Sequence, residues 1–517
     1  MAQDENTIIR SLLDPSIPID RLEVEDVFTG TSDKLDSNKK NTLKGEQVQN
    51  LLGVDYPFVT VNNYVFDNSE IELFKLDATG FVPRINFVFK LKKTDAFKSQ
   101  AYPKDGDILS IFIRAKNNAF KPIRNDYLIT DINSGPGGVE NMGGVTTISG
   151  ELFIPHIKDE IIKSYKGNSF DVLKQIAAEL KLGFATNETS TVDSQSWLCA
   201  GSTWEEYIQN IVKASWKDDN SFYKCFIDVY YHLNFINVNN QLEGEGQLAA
   251  GILDNTIMKD YYSNDAADKT SERSQTTTGK FLSTIDSFKG TNMFIRNYKT
   301  LNESSQIHAD YGYKYYVQFF DLKSLKYWNL FVDPKTSDGA ENKKIILKGR
   351  TFPKKTDQTN ANGTSPSAEE YWKTQNKYVW KGVQSRNVHD KYTFAIAHNE
   401  RNLLELNKLF LEVNVERWNP NIYMGEKVPL ILIAQADRLK AQMDATGEDK
   451  TATDVSPGGV AVLDQFYSGY YMTNGMRIEY VTDGAQLQVN ADEDPNPGPQ
   501  FYQTFIMTRR EWPTPIG

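Results

Sequence analysis

The amino-acid sequence predicts an α+β protein that is mainly β, with two similar small β-barrel domains separated by a helical and mixed α/β middle region. Three observations predict this fold class. The 517 residues include 26 Tyr and 28 Phe, which favour strands. Short segments of alternating apolar and polar residues stand between turn-forming residues, a pattern typical of antiparallel sheets and small barrels. One order of strands and turns also occurs twice, near the start and at the end of the chain.

The first β unit begins with the alternating segment "RINFVFKL", which places Ile85, Phe87, Phe89 and Leu91 on one face of a strand. The segments "DILSIFI", "DYLITDI" and "TTISGELFIPHI" follow it. Turn-forming residues separate these short segments, so the pattern predicts an antiparallel sheet, a sandwich or a small barrel.

The middle of the chain changes to helical periodicity. The segment "SFDVLKQIAAELKLG" predicts an amphipathic helix with Ser169 as its N-cap and Gly183 at its C-terminal stop. The segment "TWEEYIQNIV" predicts a second helix, in which Thr203 and Glu206 have the spacing of a capping box. The aromatic-rich stretch Ser221 to Leu242 then predicts further strands.

The second β unit opens with a short helix predicted over Asn399 to Leu406. The strand after it carries four apolar residues on one side, namely Leu409, Leu411, Val413 and Val415. The segments "YMGEKVPLILI", "FYSGYYMTNGMRIEYV" and "YQTFIMTRREW" complete the unit.

The two β units repeat the same order of elements. Gly106 and Asp107 precede one apolar strand, and Gly425 and Glu426 precede its counterpart. A Tyr-containing strand that ends in Thr and an Asx residue comes next in each unit, and a final strand closes each. We expect the ranges Tyr56–Pro155 and Lys408–Trp512 to superpose, apart from insertions. The alternative is that two unrelated β domains merely look alike at this level of detail.

The length exceeds what one hydrophobic core supports, which suggests about three or four folded domains. Polar stretches such as "SNDAADKTSERSQTTTG" are long for connections inside a compact domain, so they are either disordered or ordered by a partner. The predicted regions are an N-terminal extension (1–52), a first barrel (53–160), a helical and mixed domain (161–242), an insertion of uncertain fold (243–395) and a second barrel with inserted loops (396–517).

Composition excludes several classes of protein. The net charge of −11 argues against a general phosphate-binding surface, which requires clustered Lys and Arg. The two cysteines, Cys199 and Cys225, cannot form a disulfide framework for a chain of this size, which indicates folding in a reducing cytosol. The N-terminal segment lacks the charge and apolar run of a signal peptide, and no apolar run is long enough to span a bilayer.

The sequence offers no constellation of residues for chemistry. None of the five histidines has a second His at metal-ligand spacing, and no zinc, calcium-loop, phosphate-loop or nucleophile-elbow motif is present. We therefore predict no catalytic residue, no cofactor site and no metal site. Two alternatives stay open, because paired glycosidase carboxylates leave no local signature and the acidic loop "ADEDPNPGP" has weak calcium-binding character.

Several spaced motifs resemble the central baseplate hub proteins of contractile-tailed bacteriophages. This family is related to late control protein D and to the N-terminal half of type VI secretion spike proteins. The motifs of the middle region are "SFDVLKQIAAELKLGF", then "TWEEYIQNIV" with Trp197 and Trp204, then "FIDVYYHLNFINVN" with its Asp-x-Tyr-Tyr core. The motifs of the second β unit are "AHNERNLLELNKLFLEVNV", the turn at Gly425, "SGYYMTNGMRIEY" and "FIMTRREWPTP". The resemblance covers roughly Tyr56 to Gly517.

The resemblance implies a structural protein of the virion, located in the tail baseplate after assembly in the host cytoplasm. In this family a trimer with two tube-type barrels per subunit forms a pseudo-six-fold ring between the six-fold tail tube and the three-fold spike. The implied partners are two further copies of the chain, a tail tube ring and a separate trimeric spike protein, with tape-measure and baseplate wedge proteins as additional candidates. DNA would be only passing cargo.

We take the turns at Gly106, Asp107, Gly425 and Glu426 as the candidate ring-interface residues. Two other functions remain as alternatives, namely a tail-associated cell-wall hydrolase and a carbohydrate- or receptor-binding tail protein. A hydrolytic domain would have to lie within the region Glu243–Asp390, which matches none of the motifs above.

Overall fold

The computed structural model is mainly β with few helices, as the sequence predicts. It describes the chain over residues 24–25, 57–62, 64–90, 97, 102–104, 106–113, 123–135, 144–242, 281–284, 292–303, 314–321, 325–332, 378–384, 388–419, 422–432, 464, 467–481 and 500–510. The predicted N-terminal extension, apart from residues 24–25, lies outside the described residues, as do His308 and the acidic loop at residues 491–499.

The strands of the first half of the chain are β1 (Val24–Glu25), β2 (Phe58–Val61), β3 (Tyr64–Val65), β4 (Ile71–Ala78), β5 (Arg84–Lys90), β6 (Ile108–Ile113), β7 (Ile123–Gly135), β8 (Val145–Leu152), β9 (Glu160–Gly167), β10 (Gly183–Thr186), β11 (Gln195–Thr203), β12 (Tyr223–Ile227) and β13 (His232–Asn237). Those of the second half are β14 (Leu282–Ser283), β15 (Ile295–Asn302), β16 (Lys314–Asp321), β17 (Lys326–Val332), β18 (Tyr378–Gln384), β19 (Leu409–Val415), β20 (Lys427–Ile431), β21 (Gly469–Val481) and β22 (Gln500–Thr508). The helices are α1 (Ser169–Glu179), α2 (Trp204–Ala214), α3 (Val238–Leu242) and α4 (Tyr392–Leu406).

One curled sheet of 13 strands contains most of the β structure. Its first unit has the strand order β4-β5-β8-β7-β6-β2, with β3 paired to β2 at the end. Its second unit has the order β15-β19-β22-β21-β20-β14. The two units form a single sheet because β21 of the second unit pairs with β4 of the first.

The alternation that the sequence predicts for two strands is confirmed. Ile85, Phe87 and Phe89 of β5 are buried, whereas Leu91 lies outside the described residues. The four apolar residues predicted for the strand after α4 are all buried in β19. Each strand therefore has one face in the core, as period-2 patterning requires.

The middle region packs a mixed sheet and a hairpin against helices. The mixed sheet has the order β1-β10-β13-β12, in which β1, β10 and β13 are parallel and β12 is antiparallel to β13. Strands β9 and β11 form a separate antiparallel pair. One continuous buried apolar cluster extends from Val59 in β2 through the middle region to Met507 in β22. The middle region and both units of the large sheet therefore share one core.

The N-terminus of α1 differs from the prediction. Asn168 is the N-cap, and its side-chain oxygen accepts a hydrogen bond from the backbone N–H of Asp171 at 2.8 Å. Ser169 lies within the helix because its backbone N–H donates to Asp193 and its hydroxyl pairs with that of Thr191 at 3.0 Å. The sequence pattern favoured Ser169 because both residues are good caps.

The C-terminus of α1 also differs from the prediction. The helix ends at Glu179, and Lys181 rather than Gly183 adopts the left-handed conformation, with φ of 56°. Gly183 is the first residue of β10. The tight connection into β10 requires the turn two residues earlier than the glycine.

Two other predicted helices compare as follows. Thr203 and Glu206 form the predicted capping box at the start of α2, with both reciprocal hydrogen bonds present. Helix α4 begins at Tyr392, seven residues before the predicted start at Asn399. The Ala and His residues of its first turns are buried against the middle region, so their burial rather than an apolar periodicity sets this start.

The pairing of β14 and β15 extends the second unit beyond its predicted range of 396–517. Strand β15 pairs antiparallel with β19, and β14 pairs parallel with β20, yet both lie in the region predicted as an insertion. Strands β16, β17 and β18 form a three-stranded sheet within that same region. Over a hundred residues separate β15 from β19, so sequence order hides their partnership. Within the described part of the chain, no helix has the length and apolar character to cross a membrane.

The cap assignment at α1 can be tested by substitution. We expect Asn168→Ala to lower the free energy of unfolding by about 1 kcal/mol, because the N–H of Asp171 loses its acceptor. Asn168→Ser should retain most of the stability, since Ser can make the same bond. Chemical denaturation monitored by circular dichroism measures both. An equal loss for the Ser and Ala variants would contradict the assignment.

Candidate assembly interface

The two predicted turns have the same backbone conformation. Gly106 has φ of +86° and Gly425 has φ of +84°. Both values lie in the left-handed region that glycine adopts without a steric cost. The backbone N–H of Asp107 donates to the carbonyl of Lys104 at 3.0 Å, and that of Glu426 donates to the carbonyl of Tyr423 at 3.3 Å. The glycine in each turn therefore serves the same geometry.

The acidic residue that follows each glycine closes its turn in the same way. A carboxylate oxygen of Asp107 accepts from the backbone N–H of Lys104 at 2.7 Å, and one of Glu426 accepts from that of Tyr423 at 3.1 Å. The Asn62 side chain donates to the same Asp107 carboxylate at 2.6 Å. The bonds from Asn62 and Lys104 hold the pKa of Asp107 below its usual value. Within the chain, both carboxylates thus stabilise their own turns.

A β-bulge follows each turn at the equivalent place on the opposite strand. The carbonyl of Asp107 accepts from Ile129 N–H at 3.0 Å, and that of Glu426 accepts from Thr473 N–H at 2.9 Å. The register of β7 against β8 shifts directly after Ile129, and the register of β21 against β22 shifts directly after Thr473. Thr130 and Asn474 are therefore the equivalent bulged residues.

A second pair of bulges marks the other end of each unit. The register between β4 and β5 shifts between Ile71 and Leu73, and that between β15 and β19 shifts between Ile295 and Asn297. Each shift leaves one extra residue on the strand that starts its unit. Bulges are specific features rather than defects, so two matching bulges in strands of the same order show that the units correspond residue by residue along these strands.

The junction between the units is the antiparallel pairing of β21 with β4. It runs from Met476 opposite Ala78 to Val481 opposite Leu73. The first residues of β21, by contrast, pair with β20. Strand β21 therefore changes partner on one edge, and the bulge at Asn474 lies at that change.

Ion pairs and close packing reinforce the junction. Lys75 Nζ lies 2.6 Å from Glu479 Oε1, and Arg477 Nε lies 3.2 Å from Asp77 Oδ2. A Cβ atom added at Gly475 would lie 3.0 Å from the Thr79 methyl carbon, so this glycine lets the two strands approach. The junction thus combines backbone hydrogen bonds, paired charges and a position that excludes side chains.

The hairpin of β12 and β13, here called the clamp hairpin, holds both units. Lys224 Nζ donates to the backbone carbonyl and the side-chain oxygen of Asn474, each at 2.6 Å. Its ammonium also lies 5.5 Å from the ring centre of Phe226. This lysine therefore binds the bulge at which β21 changes partner. Burial lowers its pKa to about 8.

The turn of the clamp hairpin contacts the first unit and the second turn. Tyr231 Oη accepts from the backbone N–H of Asp126 in β7 at 3.0 Å. The ring of Tyr230 lies 5.9 Å from that of Tyr423. The backbone N–H of Ile227 donates to the carbonyl of Phe81, in the turn between β4 and β5, at 2.7 Å.

Asp228 fixes the conformation of that turn. Its carboxylate accepts from the backbone N–H groups of Tyr230 and His232, both at 2.9 Å, and from the Asn234 side chain at 3.1 Å. Burial acts to raise the pKa of Asp228, but His232 and these donors outweigh it, and the pKa lies below its usual value. The Asp-x-Tyr-Tyr motif that carries the sequence resemblance is thus the point where the middle region meets both units.

Helix α4 attaches the second unit to α2. The side-chain amide of Asn399 donates to the carbonyls of Lys213 at 2.9 Å and Ser215 at 2.7 Å, which lie at the C-terminus of α2. His389 Nε2 lies 3.0 Å from the carbonyl of Ala214 at the same terminus. These contacts satisfy carbonyl groups that a helix end leaves without an intrahelical partner.

The polar face of the large sheet carries paired charges. Besides the two ion pairs of the junction, Arg84 lies 3.6 Å from Glu151 and Lys299 Nζ lies 2.8 Å from Glu412. Among the described residues, no group of three His, Cys, Asp or Glu side chains is placed to hold a metal ion. The charges of this face are therefore arranged for mutual compensation.

Sequence reasoning located the two turns but missed the residues that join the units. Lys224 and Asn474 are separated by 250 positions, and neither belongs to a motif that signals a contact. Asn399 lay at the predicted start of a helix, and its amide instead satisfies the end of a different helix. The Asp-x-Tyr-Tyr motif was the one available signal for the clamp hairpin.

Comparisons with known proteins return phage tail proteins. No protein-family model matches the sequence, and no curated protein matches it significantly. Among solved structures, a tail protein from Neisseria meningitidis MC58 has 10% identity and a TM-score of 0.41, covering 88% of this chain and 97% of that one. The 43 kDa tail protein of prophage MuSo2 from Shewanella oneidensis has 9% identity and a TM-score of 0.42, covering 89% and 99%.

A third similar structure is the half-lidded Francisella PdpA-VgrG complex. It has 10% identity and a TM-score of 0.35, covering 98% of this chain and 67% of that chain. The structural neighbours are thus phage tail proteins and a VgrG-containing complex, the classes of protein that the sequence resembles.

The glycine turns give a stability prediction. We expect Gly106→Ala to lower the free energy of unfolding by about 1 kcal/mol, because a side chain in the left-handed region is strained even though no atom lies within 4 Å of its Cβ. Gly425→Ala should cost at least as much. Gly80→Ala is the control, since this glycine does not have positive φ and its Cβ would make an ordinary contact. Equal effects at Gly80 and Gly106 in urea denaturation would contradict the explanation.

The clamp lysine gives a second prediction. Lys224→Met should lower the free energy of unfolding by about 1 to 3 kcal/mol at neutral pH, because two oxygens of Asn474 lose a charged donor. The exposed Lys174→Met substitution on α1 is the control.

The pH dependence of that difference has a defined sign. The pKa of Lys224 is about 8 in the folded state against 10.5 for an ordinary lysine. Between these values the folded state binds fewer protons than the unfolded state, so wild-type stability rises with pH relative to Lys224→Met. Denaturation at several pH values measures the difference. A difference that falls with pH in this window would contradict the burial of the ammonium.

Proposed function

We propose that this protein is the structural central hub of a contractile phage tail baseplate. In this proposal three copies form a ring of six barrel-like units, which joins the six-fold tail tube to the three-fold spike. The tail tube ring and a trimeric spike protein are its partners, with tape-measure and wedge proteins as further candidates. Its place is the tail of the virion.

The observation that carries this proposal is the internal correspondence of the two units. They share strand order, turn geometry and the positions of two bulges, and one strand edge joins them. A closed ring requires each unit to present comparable surfaces to its two neighbours. Three chains with two such units give six similar positions while the assembly keeps three-fold symmetry. That combination suits an adaptor between a hexamer and a trimer.

The polar face of the large sheet supports a passage for DNA. Its cations are engaged by neighbouring carboxylates, as in the pairs Lys75–Glu479 and Arg477–Asp77. A face with its positive charges already paired, in a chain of net charge −11, offers few sites for phosphate groups. In the proposed ring this face lines the channel, and DNA passes without binding.

The proposal assigns no catalytic activity to the chain. The described carboxylates near the junction are engaged in ion pairs or in the closure of turns, as Glu479 and Asp107 illustrate. Purified protein should release no soluble fragments from peptidoglycan. Turnover that disappears on substitution of one carboxylate would instead favour the cell-wall hydrolase alternative.

The oligomeric state tests the proposal. Native mass spectrometry and sedimentation of the purified chain should give a species of three times the 58.8 kDa chain mass. Projections of that species in the electron microscope should show a six-lobed ring, because the two units of each chain are similar. A monomer at the highest attainable concentration, or a ring of six copies, would contradict the proposal.

A further inference from the structure

Two strand edges in this chain correspond to the two edges that form the internal junction. Strand β7 is the counterpart of β21, and β15 is the counterpart of β4, as the matching bulges and strand orders establish. Strands β21 and β4 pair with each other. Among the described strands, none pairs with the outer edge of β15 or with the last residues of β7 on the side of β6.

Burial differs at the corresponding positions in the direction that a missing neighbour predicts. Phe74 and Leu76 of β4 are almost fully buried, whereas Lys299 and Asn302 of the counterpart β15 are exposed. Ile478 of β21 is 1% exposed, whereas its counterpart Ser134 in β7 is exposed. The same edges are thus covered at the junction and uncovered at their counterparts.

We infer that β15 of one copy pairs antiparallel with the end of β7 of the next copy, and thereby repeats the internal junction between chains. The inference rests on the proposed function, and it adds the strands and the register of the contact. The correspondence places Ile132 opposite Asn302, Ser134 opposite Thr300 and Gly135 opposite Lys299 of the neighbouring copy. An unpaired strand edge is a template for pairing with another chain.

The occupant of these edges is a second copy of this chain because the two edges are complementary parts of one geometry. Strand β7 presents the edge that β21 offers to β4, and β15 presents the edge that β4 offers to β21. One molecule cannot pair its own two edges, since they lie at opposite ends of its row of eight strands from β15 to β7. Head-to-tail repetition of one contact forms a closed ring or an open filament. Closure after three copies is the result that the adaptor role requires.

The pairing between copies differs from the internal junction in two respects. The internal pair Glu479–Lys75 corresponds to Gly135–Lys299, and the pair Arg477–Asp77 corresponds to Asn133–Leu301, so both ion pairs are absent. Asp131 takes the place of Gly475, where an added Cβ would meet Thr79. The pairing between copies therefore begins at Ile132. Its polar side chains, such as Ser134 and Thr300, suit an edge that is exposed to water before assembly.

Disulfide trapping in the full chain tests the register. The double variant Gly135→Cys/Lys299→Cys should form a disulfide between copies under mild oxidation, because directly opposed residues bring their Cβ atoms within bonding range. Its internal equivalent Lys75→Cys/Glu479→Cys should form a disulfide within one chain. Ser134→Cys/Lys299→Cys is the off-register control, since adjacent residues of a strand point to opposite faces. The single variants and wild type, which keeps Cys199 and Cys225, give the background.

The outcomes separate this inference from the proposed function. Covalent three-copy rings from the in-register pair, and only background from the off-register pair, are expected. A trimer that links only in the off-register pair, or in neither pair, would overturn the inference and leave the hub proposal standing. The absence of any trimer by native mass spectrometry would overturn both.

Hydrogen exchange of the unmodified protein provides a second measurement that does not depend on the variants. Backbone amides of residues 132–135 and 299–302 should exchange at least tenfold more slowly in the trimer than in dilute monomer, because pairing protects them. The edge of β3 serves as the control, as it takes no part in the contact. Equal exchange of residues 132–135 in both states would contradict the pairing.

Discussion

The antiparallel pairing of β21 with β4 is the interaction on which the rest of the structure depends. It converts two sheet units into one continuous surface. The pairing is possible because β21 leaves β20 at the bulge of Asn474, and Lys224 of the clamp hairpin holds that bulge from the middle region. Gly475 then lets the strands approach next to Thr79. A local backbone irregularity, one buried ammonium and one missing side chain together orient the two units.

The clamp hairpin also explains why the middle region stands between the units in the sequence. It contacts the bulge of β21, the backbone of β7 and the turn between β4 and β5 at the same time. The shared buried core extends across all three parts. A rotation of one unit against the other would therefore break hydrogen bonds at several separate places. Such rigidity suits a subunit whose two units must occupy neighbouring positions in a ring.

The sequence predicted those features that depend on neighbouring residues. Alternation predicted the buried face of β19, and the spacing of Thr203 and Glu206 predicted the capping box of α2. The features that depend on distant residues were missed. Strand β15 was assigned to an insertion because its partner β19 follows a long intervening segment. Lys224 carried no signal at all, because its role depends on a bulge 250 positions away.

The local errors have a similar cause. Asn168 and Ser169 are both good helix caps, and only the contacts of Ser169 with Asp193 and Thr191 decide between them. The Gly-acidic turns were identified correctly as a repeated feature, yet their carboxylates close the turns within the chain. The repeated turns therefore indicate the correspondence of the units, whereas the free strand edges indicate where copies meet.

The most direct measurement is a reconstruction of the assembled ring by electron cryomicroscopy without imposed symmetry, at a resolution that separates strands. The account predicts three chains with six similar units and β21 beside β4 within each chain. It also predicts β7 beside β15 of the next chain in the same register. A ring whose chains meet through other strands would contradict the repeated junction. A particle with one copy, or with six identical copies, would contradict the account as a whole.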